Sequence, residues 1–426
     1  MNGVMAKTTT APAITKNSSL SLPFRYFWAA SGSLLIFVAL LPVAAGSLEG
    51  GILHPRFLAL AHLAVLGWAT MVAMGALFQL VPVILEVVLW SDVLGRVQFW
   101  FYSIGVLGLA GSFWYGRLGD GVPFFGLLVA VGIVLFLINA AFTLAKVKKI
   151  DLTGIHILAA FLWFTLTTFS GLALAVNFRI GFLDRAVFET LKGHAALGLW
   201  GWLSLLIVGV SYKLFPMFTL AHGYSLRAGK LAFILGNLGL LGLLVGDWVL
   251  GSPQIWNQVA SLLIVLAIFS YGKQVLDMRR TRLRPISVPI KYALAAVLYL
   301  HVAALLGVIQ VLGLGDSFEG LDFGLGALVI LGWITLSIVG YLFKIFPHLN
   351  WLKKYGDKVG LEPVPSMESM VDERLPRAGF VLFNVGVLLL TIGFMILTPF
   401  VVQLAGLVLL AGVIVLMVAM KQAQRA

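Results

Sequence analysis

Seven histidines are the residues of this chain that are best suited to chemistry, because cysteine is absent. Without a thiol there is no disulfide framework, no cysteine-ligated metal site and no thiolate nucleophile. Any metal must therefore be held by histidine, methionine or oxygen ligands. The seven are His54, His62, His156, His194, His222, His301 and His348.

Three of these histidines, His62, His194 and His301, lie inside long apolar segments. A neutral imidazole in lipid normally finds a hydrogen-bonding partner or a metal. A ligand role is favoured for His62 and His194, with a satisfied structural histidine as the alternative, and His301 is evenly balanced between the two. His54 is interpreted as a loop residue, and the other three are interpreted as solvated residues of the cytoplasmic face.

Other kinds of catalytic site find little support in the sequence. No acidic or basic residue lies at the centre of an apolar segment, whereas proton pumps and ion-coupled transporters usually need one. A Walker-type loop and a dinucleotide-binding fingerprint are both missing. Serine–histidine–aspartate catalysis lacks an acidic partner at membrane depth.

The composition identifies the elements that must position the histidines. Hydrophobic residues make up 61% of the 426 residues and charged residues 11%, which excludes a soluble enzyme, a disordered chain and a nucleic-acid binder. A membrane-spanning helix needs about 20 apolar residues. The sequence therefore predicts an all-α, polytopic membrane protein with twelve spans, near 24–46, 57–82, 97–116, 122–145, 155–177, 193–216, 229–250, 254–272, 288–312, 322–347, 378–397 and 400–420.

The cations predict the orientation of these spans. With the N-terminus inside, 24 of the 29 Lys and Arg residues fall on inner segments. This asymmetry indicates cytoplasmic termini in the plasma (inner) membrane. We expect a cytoplasmic segment 1–23, interpreted as preceding a retained anchor, one membrane domain 24–420 with a cytoplasmic loop 349–377, and a tail 421–426.

A motif recurs in spans 2, 6 and 10, as G-W-x6-G-x2-[FY]-[QK]-[LI]-[VF]-P. Its tryptophans are Trp68, Trp202 and Trp333, and four spans separate each from the next. An even number of spans gives every unit the same orientation, so the sequence predicts three four-helix pseudo-repeats, near 24–150, 151–285 and 286–420, about an axis along the membrane normal. The glycines are expected to permit close helix approach and the prolines to end the spans.

The repeat also places two histidines at similar depth. His62 lies 20 residues before Pro82, and His194 lies 22 residues before Pro216, near the outer ends of spans 2 and 6. The corresponding part of span 10, residues 325–327, has no histidine.

Twelve spans, three four-helix arcs and the segment from His54 through His62 to Pro82 together resemble subunit I of the heme–copper oxidase superfamily, in its nitric-oxide-reductase-like and cbb-type branches. The resemblance implies that His62 is an axial ligand of a low-spin heme b, and that His194 binds an active-site copper or other metal. The family's histidines of spans 7 and 10, the tyrosine four residues after the span 6 histidine and the proton-channel carboxylates have no match.

These departures predict a heme- or metal-binding membrane protein of respiratory, redox or nitric-oxide-related type without a complete binuclear centre. Candidate ligands are His62 and His194, with His301 as a further cofactor-binding residue. The alternative is a non-catalytic carrier, sensor or assembly factor for heme, copper or a small gas. Expected partners are the lipid bilayer and other respiratory-complex subunits or a small electron carrier, and no nucleic acid.

Overall fold

A computed structural model describes residues 21–84, 87–183, 187–251, 253–315 and 318–426. Most of the predicted segment 1–23 lies outside these ranges. The described residues contain twelve helices that are long and apolar enough to span a membrane, which confirms the predicted count and the all-α fold. Their bounds are Ser21–Gly50, Pro55–Pro82, Asp92–Trp114, Gly121–Leu144, Leu152–Ile180, Thr190–Thr219, Arg227–Trp248, Gln254–Arg280, Val288–Val311, Leu321–Lys358, Arg374–Met395 and Pro399–Arg425.

The start of span 1 and the C-terminus lie at the same end of the bundle. The Lys353 ammonium, beyond the apolar part of span 10, lies 5.8 Å from the centre of the Phe24 ring in span 1. The hydroxyl of Tyr355 donates to the terminal carbonyl of Ala426 at 2.8 Å. An even number of spans therefore separates the two, and we call this end inner, following the orientation predicted from charge.

Spans 2, 6 and 10 form the centre of the bundle. In their most apolar stretches 72%, 72% and 78% of residues are buried, against at most 50% in the other spans. The outer layer consists of the packed pairs 3–4, 7–8 and 11–12, while spans 1, 5 and 9 each pack on the inner span that follows them. Superposition of the three units by rotations of about 120° stays a prediction.

The motif glycines allow these close contacts between spans. A Cβ atom at Gly209 would lie 2.2 Å from the Cβ of His156, and one at Gly340 would lie 2.6 Å from the carbonyl oxygen of Pro289. Separations this short admit only a hydrogen at that position, so each inner span lies directly against its predecessor.

The motif prolines do not end their helices, contrary to the sequence prediction. The helical segments continue beyond Pro82 to Ile84, beyond Pro216 to Thr219 and beyond Pro347 to Tyr355. Proline removes one hydrogen bond to a carbonyl four residues earlier but can itself continue the helix. The α-helix of span 10 consequently extends eight residues past Pro347, to Tyr355, and a 3-10 turn continues the span to Lys358.

Candidate metal centre at the outer ends of spans 2 and 6

Each inner span is interrupted by two turns of π-helix at the Gly-Trp motif. The π-helical segments are Leu63–Thr70, Leu197–Ser204 and Leu328–Thr335. Such wider turns are rare and occur often at functional sites. His62 is the last α-helical residue before the first segment, and His194 lies three residues before the second.

The three motif tryptophans close a ring of hydrogen bonds between the inner spans. Their indole N–H groups donate to hydroxyls as Trp68 to Thr335 at 3.2 Å, Trp202 to Thr70 at 3.0 Å and Trp333 to Ser204 at 2.9 Å. All three indoles are buried, so each N–H depends on its partner. The ring fixes the height at which spans 2, 6 and 10 meet, and thereby the height of His62 and His194.

His62 faces span 3. Its ring stacks on Phe113 with the centroids 5.1 Å apart and the planes at 22°. Its Nδ1 lies 2.7 Å from the carbonyl oxygen of Leu58, one turn earlier in span 2. With the proton on Nδ1 for that bond, the lone pair of Nε2 is available, and the described residues offer it no hydrogen bond.

His194 faces span 5. Its Nδ1 lies 3.1 Å from the carbonyl oxygen of Thr167 and 3.2 Å from the hydroxyl of Ser170. Gly171 leaves space for the ring, because a Cβ there would approach its Cε1 to 2.7 Å. The outer ends of spans 2, 3, 5 and 6 therefore hold two imidazoles whose Nε2 atoms make no hydrogen bond with the described residues.

His301 belongs to a different environment. Its Nδ1 lies 2.7 Å from the carbonyl oxygen of Val297, which accepts a hydrogen bond when Nδ1 carries the proton, while Nε2 faces Gly272 of span 8, where a Cβ would lie only 2.3 Å away. The Phe269 ring packs edge-on against it at 5.1 Å. His301 thus fills a gap between spans 8 and 9, and none of these contacts connects it with His62 or His194.

The space between spans 2 and 10 is apolar. Ala61 lines it in place of His62, and Ala327 lines it from span 10. The described residues around it, which offer no imidazole, are Phe37, Leu41, Ile52, Phe57, Leu60, Ala61, Ala64, Phe323, Gly326, Ala327, Ile330, Leu331, Leu390 and Phe394. A heme held between these two spans does not fit the residues present.

No group of three or more histidine and acidic side chains suited to a metal occurs in the described part of the chain. Among the described histidine and acidic side chains, a metal at His62 and His194 would therefore have at most these two ligands. Two imidazoles could together hold one metal ion, or one of them could occupy an axial position of a heme.

His156 lies elsewhere than the sequence interpretation placed it. It is fully buried under span 6 at the inner side rather than solvated. Its Nδ1 contacts the carbonyl of Leu152 at 2.8 Å, and Nε2 has no partner among the described residues. The hydroxyl of Tyr212, whose ring lies 5.2 Å from His156, is likewise buried without a partner. His222 and His348 are exposed, as expected.

Comparison with known proteins places this geometry within a fold. No family model matches the chain, and no curated protein matches it in sequence. Its structure is similar to a solved heme-copper terminal oxidase dimer, with a TM-score of 0.74 and 13% sequence identity over 96% of this chain and 85% of that chain. The resemblance inferred from the sequence is confirmed: this is a multi-pass membrane protein with the fold of a heme–copper oxidase.

Proposed function

We propose that this protein is a metal-binding membrane protein of the oxidase fold, in which His62 and His194 hold one metal centre. The observation that carries the proposal is the hydrogen-bonding pattern that the two imidazoles have in common. Each has Nδ1 next to a backbone carbonyl, and the described residues offer neither Nε2 a hydrogen bond. Metal-ligating histidines are usually oriented in this way by a carbonyl on the second nitrogen.

The Nδ1 contact alone does not identify a ligand. His156 and His301 make the same contact with the carbonyl four residues earlier. His62 and His194 differ from these two because they lie on two different inner spans at the same end of the bundle. The Nε2 of His301, in contrast, lies against the backbone of span 8.

Copper in its monovalent state suits this pair of ligands. Both ligands are neutral, and the described acidic residues do not join them in a group. The desolvation cost of an ion at membrane depth rises steeply with its charge, which favours a monovalent over a divalent ion. Imidazole is a good ligand for copper. A b-type heme on His62 is the competing form of the same centre, and it would lie towards spans 3, 5 and 6.

The proposed role is to bind or deliver this metal beside a respiratory complex, not to reduce oxygen. The apolar space between spans 2 and 10 supports this role, because the described residues around it, Ala61 and Ala327 among them, offer no imidazole to a heme. A redox or nitric-oxide-related role is the second candidate, favoured by the likeness to a terminal oxidase. Reversible reduction of the bound centre within the range of respiratory carriers would select this second role.

Metal analysis of the purified protein, with an optical spectrum of its reduced and oxidised forms, tests the proposal. After reconstitution with copper(I), we expect one equivalent of copper at this centre, counted as the difference from the His62→Ala/His194→Ala double variant. The variants His62→Ala and His194→Ala should each lose it, whereas the control His301→Ala should retain it. A Soret band that is present in the parent and disappears in His62→Ala would show that the centre holds heme instead of copper. Equal metal content in all three variants would contradict the site itself.

A further inference from the structure

A second set of metal-binding side chains lies at the inner end of span 10. His348 directly follows the motif residue Pro347, and its Nδ1 lies 3.2 Å from the Sδ atom of Met367. Met367 begins a single turn of 3-10 helix, Met367–Met370. Residues three apart in such a turn lie on the same side, so Met370 stands beside Met367. Met370 is buried, whereas His348 is exposed to the inner side.

The connection that carries the two methionines is held in place at both ends. The indole N–H of Trp351, one helical turn after His348, donates to the carbonyl of Pro365 at 2.7 Å. On the other side, the backbone N–H of Asp372 donates to the side-chain oxygen of Gln422 in span 12 at 3.1 Å. The imidazole and the thioether are therefore brought together by folded structure on both flanks, which reduces the entropy that a ligand must overcome on binding.

We propose that His348, Met367 and Met370 form a binding site for copper(I) at the inner face of the protein. Thioethers are soft ligands that select copper(I), and imidazole is compatible with them in one coordination sphere. Hard ions such as Mg²⁺ and Ca²⁺ require oxygen ligands, which the contact between His348 and Met367 does not supply. In the predicted orientation this face meets the cytoplasm, a reducing compartment, where copper is monovalent. The site shares no residue with the centre proposed for His62 and His194.

Silver(I) provides a probe with the same charge and ligand preference that does not change its oxidation state. Titrations use the full chain in detergent, with both His62 and His194 replaced by alanine so that only the inner site remains. We expect one equivalent of silver(I) to bind. The variants Met367→Leu and His348→Gln should weaken binding by at least about tenfold, since they remove ligands directly rather than their supports.

Met217→Leu is the matched control, because Met217 is an exposed methionine at the inner end of span 6 that lies outside this set. Replacing Met by Leu conserves volume, so folding should persist in both methionine variants. His348 is exposed, so His348→Gln tests the site even if a loop variant is unstable. The proposal would be overturned by equal silver(I) affinity in Met367→Leu and Met217→Leu, or by no binding in the background variant that lacks His62 and His194. The contact between His348 and Met367 would then be only an N–H···S hydrogen bond.

X-ray absorption of the copper(I)-loaded protein gives an independent readout. Sulfur scattering should be present in the background variant and lost or halved in Met367→Leu. Because the His62 and His194 pair is already removed, failure of the inner site leaves the outer centre untouched. Conversely, if no metal binds at His62 and His194 while silver(I) still binds at the inner face, then only the proposed function is refuted.

Discussion

The hydrogen bonds of Trp68, Trp202 and Trp333 to hydroxyls of neighbouring inner spans are called the tryptophan ring here. Replacement of Thr335 by valine tests whether this ring holds spans 2, 6 and 10 together. The Thr335 hydroxyl accepts from the indole of Trp68 and donates to the carbonyl of Ile330 at 2.8 Å. Valine preserves the shape of threonine but can do neither. Because Trp68 is fully buried, its N–H would be left without a partner or access to water.

The magnitude follows from the buried donor. An unsatisfied buried group costs about 1–3 kcal/mol, while interhelical side-chain hydrogen bonds in membranes average about 0.6 kcal/mol with a maximum near 1.7 kcal/mol. Trp68 has no alternative acceptor in this packing, so we expect a loss of about 1–2 kcal/mol in the free energy of unfolding. Equilibrium unfolding in bicelles by steric trapping can resolve a difference of this size.

Thr168→Val is the matched control. The buried Thr168 hydroxyl donates only to the carbonyl of Phe164 in its own helix, at 2.8 Å, so no other group loses a partner when it is removed. Its variant should remain within about 0.5 kcal/mol of the parent. If Thr335→Val and Thr168→Val unfold at the same free energy, then the ring contributes nothing beyond helix packing, and the reasoning fails.

Three further outcomes are expected. Gly340→Ala should lose about 1–3 kcal/mol of stability because its Cβ would meet the carbonyl of Pro289 at 2.6 Å, whereas Gly32→Ala, whose Cβ would meet nothing within 4 Å, should be neutral or gain up to about 1 kcal/mol. Tyr212→Phe should destabilise by about 1 kcal/mol if water satisfies the hydroxyl beside His156, and a gain in stability would exclude that water. Oxygen electrode measurements on the purified chain should detect no cyanide-sensitive uptake.

The number and order of the spans could be predicted from the sequence because they depend only on apolar length. Their inner ends could not be predicted in the same way. Proline was expected to end spans 2, 6 and 10, but it removes only one backbone hydrogen bond, and the helix of span 10 continues to Tyr355. The depth of a helix end is set by what packs around it, which a local pattern does not record.

The hydroxyl residues of the tryptophan ring recur in the sequence, but the motif as written does not include them. A hydroxyl residue follows each motif tryptophan by two positions, as Thr70, Ser204 and Thr335. The acceptor for each indole comes from another span, however, so the pairing depends on tertiary packing. The sequence motif identifies the repeated tryptophans but does not predict that their indoles donate hydrogen bonds to hydroxyls of other spans.

His156 was misplaced for a related reason. It packs against Gly209 of the motif, the position that Tyr26 takes at Gly75 and Tyr292 at Gly340. Those tyrosines donate to the carbonyls of Gly95 and Pro376, and a different residue type in the middle unit conceals the correspondence. A histidine near the end of an apolar segment is most simply interpreted as solvated unless its packing partner is known.

The inner spans are held together without help from a metal. Buried indole–hydroxyl bonds and motif glycines join spans 2, 6 and 10 to each other and to their neighbours, and neither His62 nor His194 takes part in them. These contacts can therefore maintain the fold whether or not a metal is bound. We expect the metal-free protein and the His62→Ala/His194→Ala double variant to unfold at similar free energies.

Metal bound at the outer centre should then stabilise only the parent. A ligand at about 100 times its dissociation constant adds about 2.7 kcal/mol to the free energy of unfolding. Copper(I) at that level should raise the stability of the parent by this amount beyond any gain in the double variant, where the inner site at His348 and Met367 would account for what remains. If the metal-free parent fails to fold while the loaded form folds, then the metal is part of the scaffold, and the tryptophan ring cannot be what holds the three inner spans together.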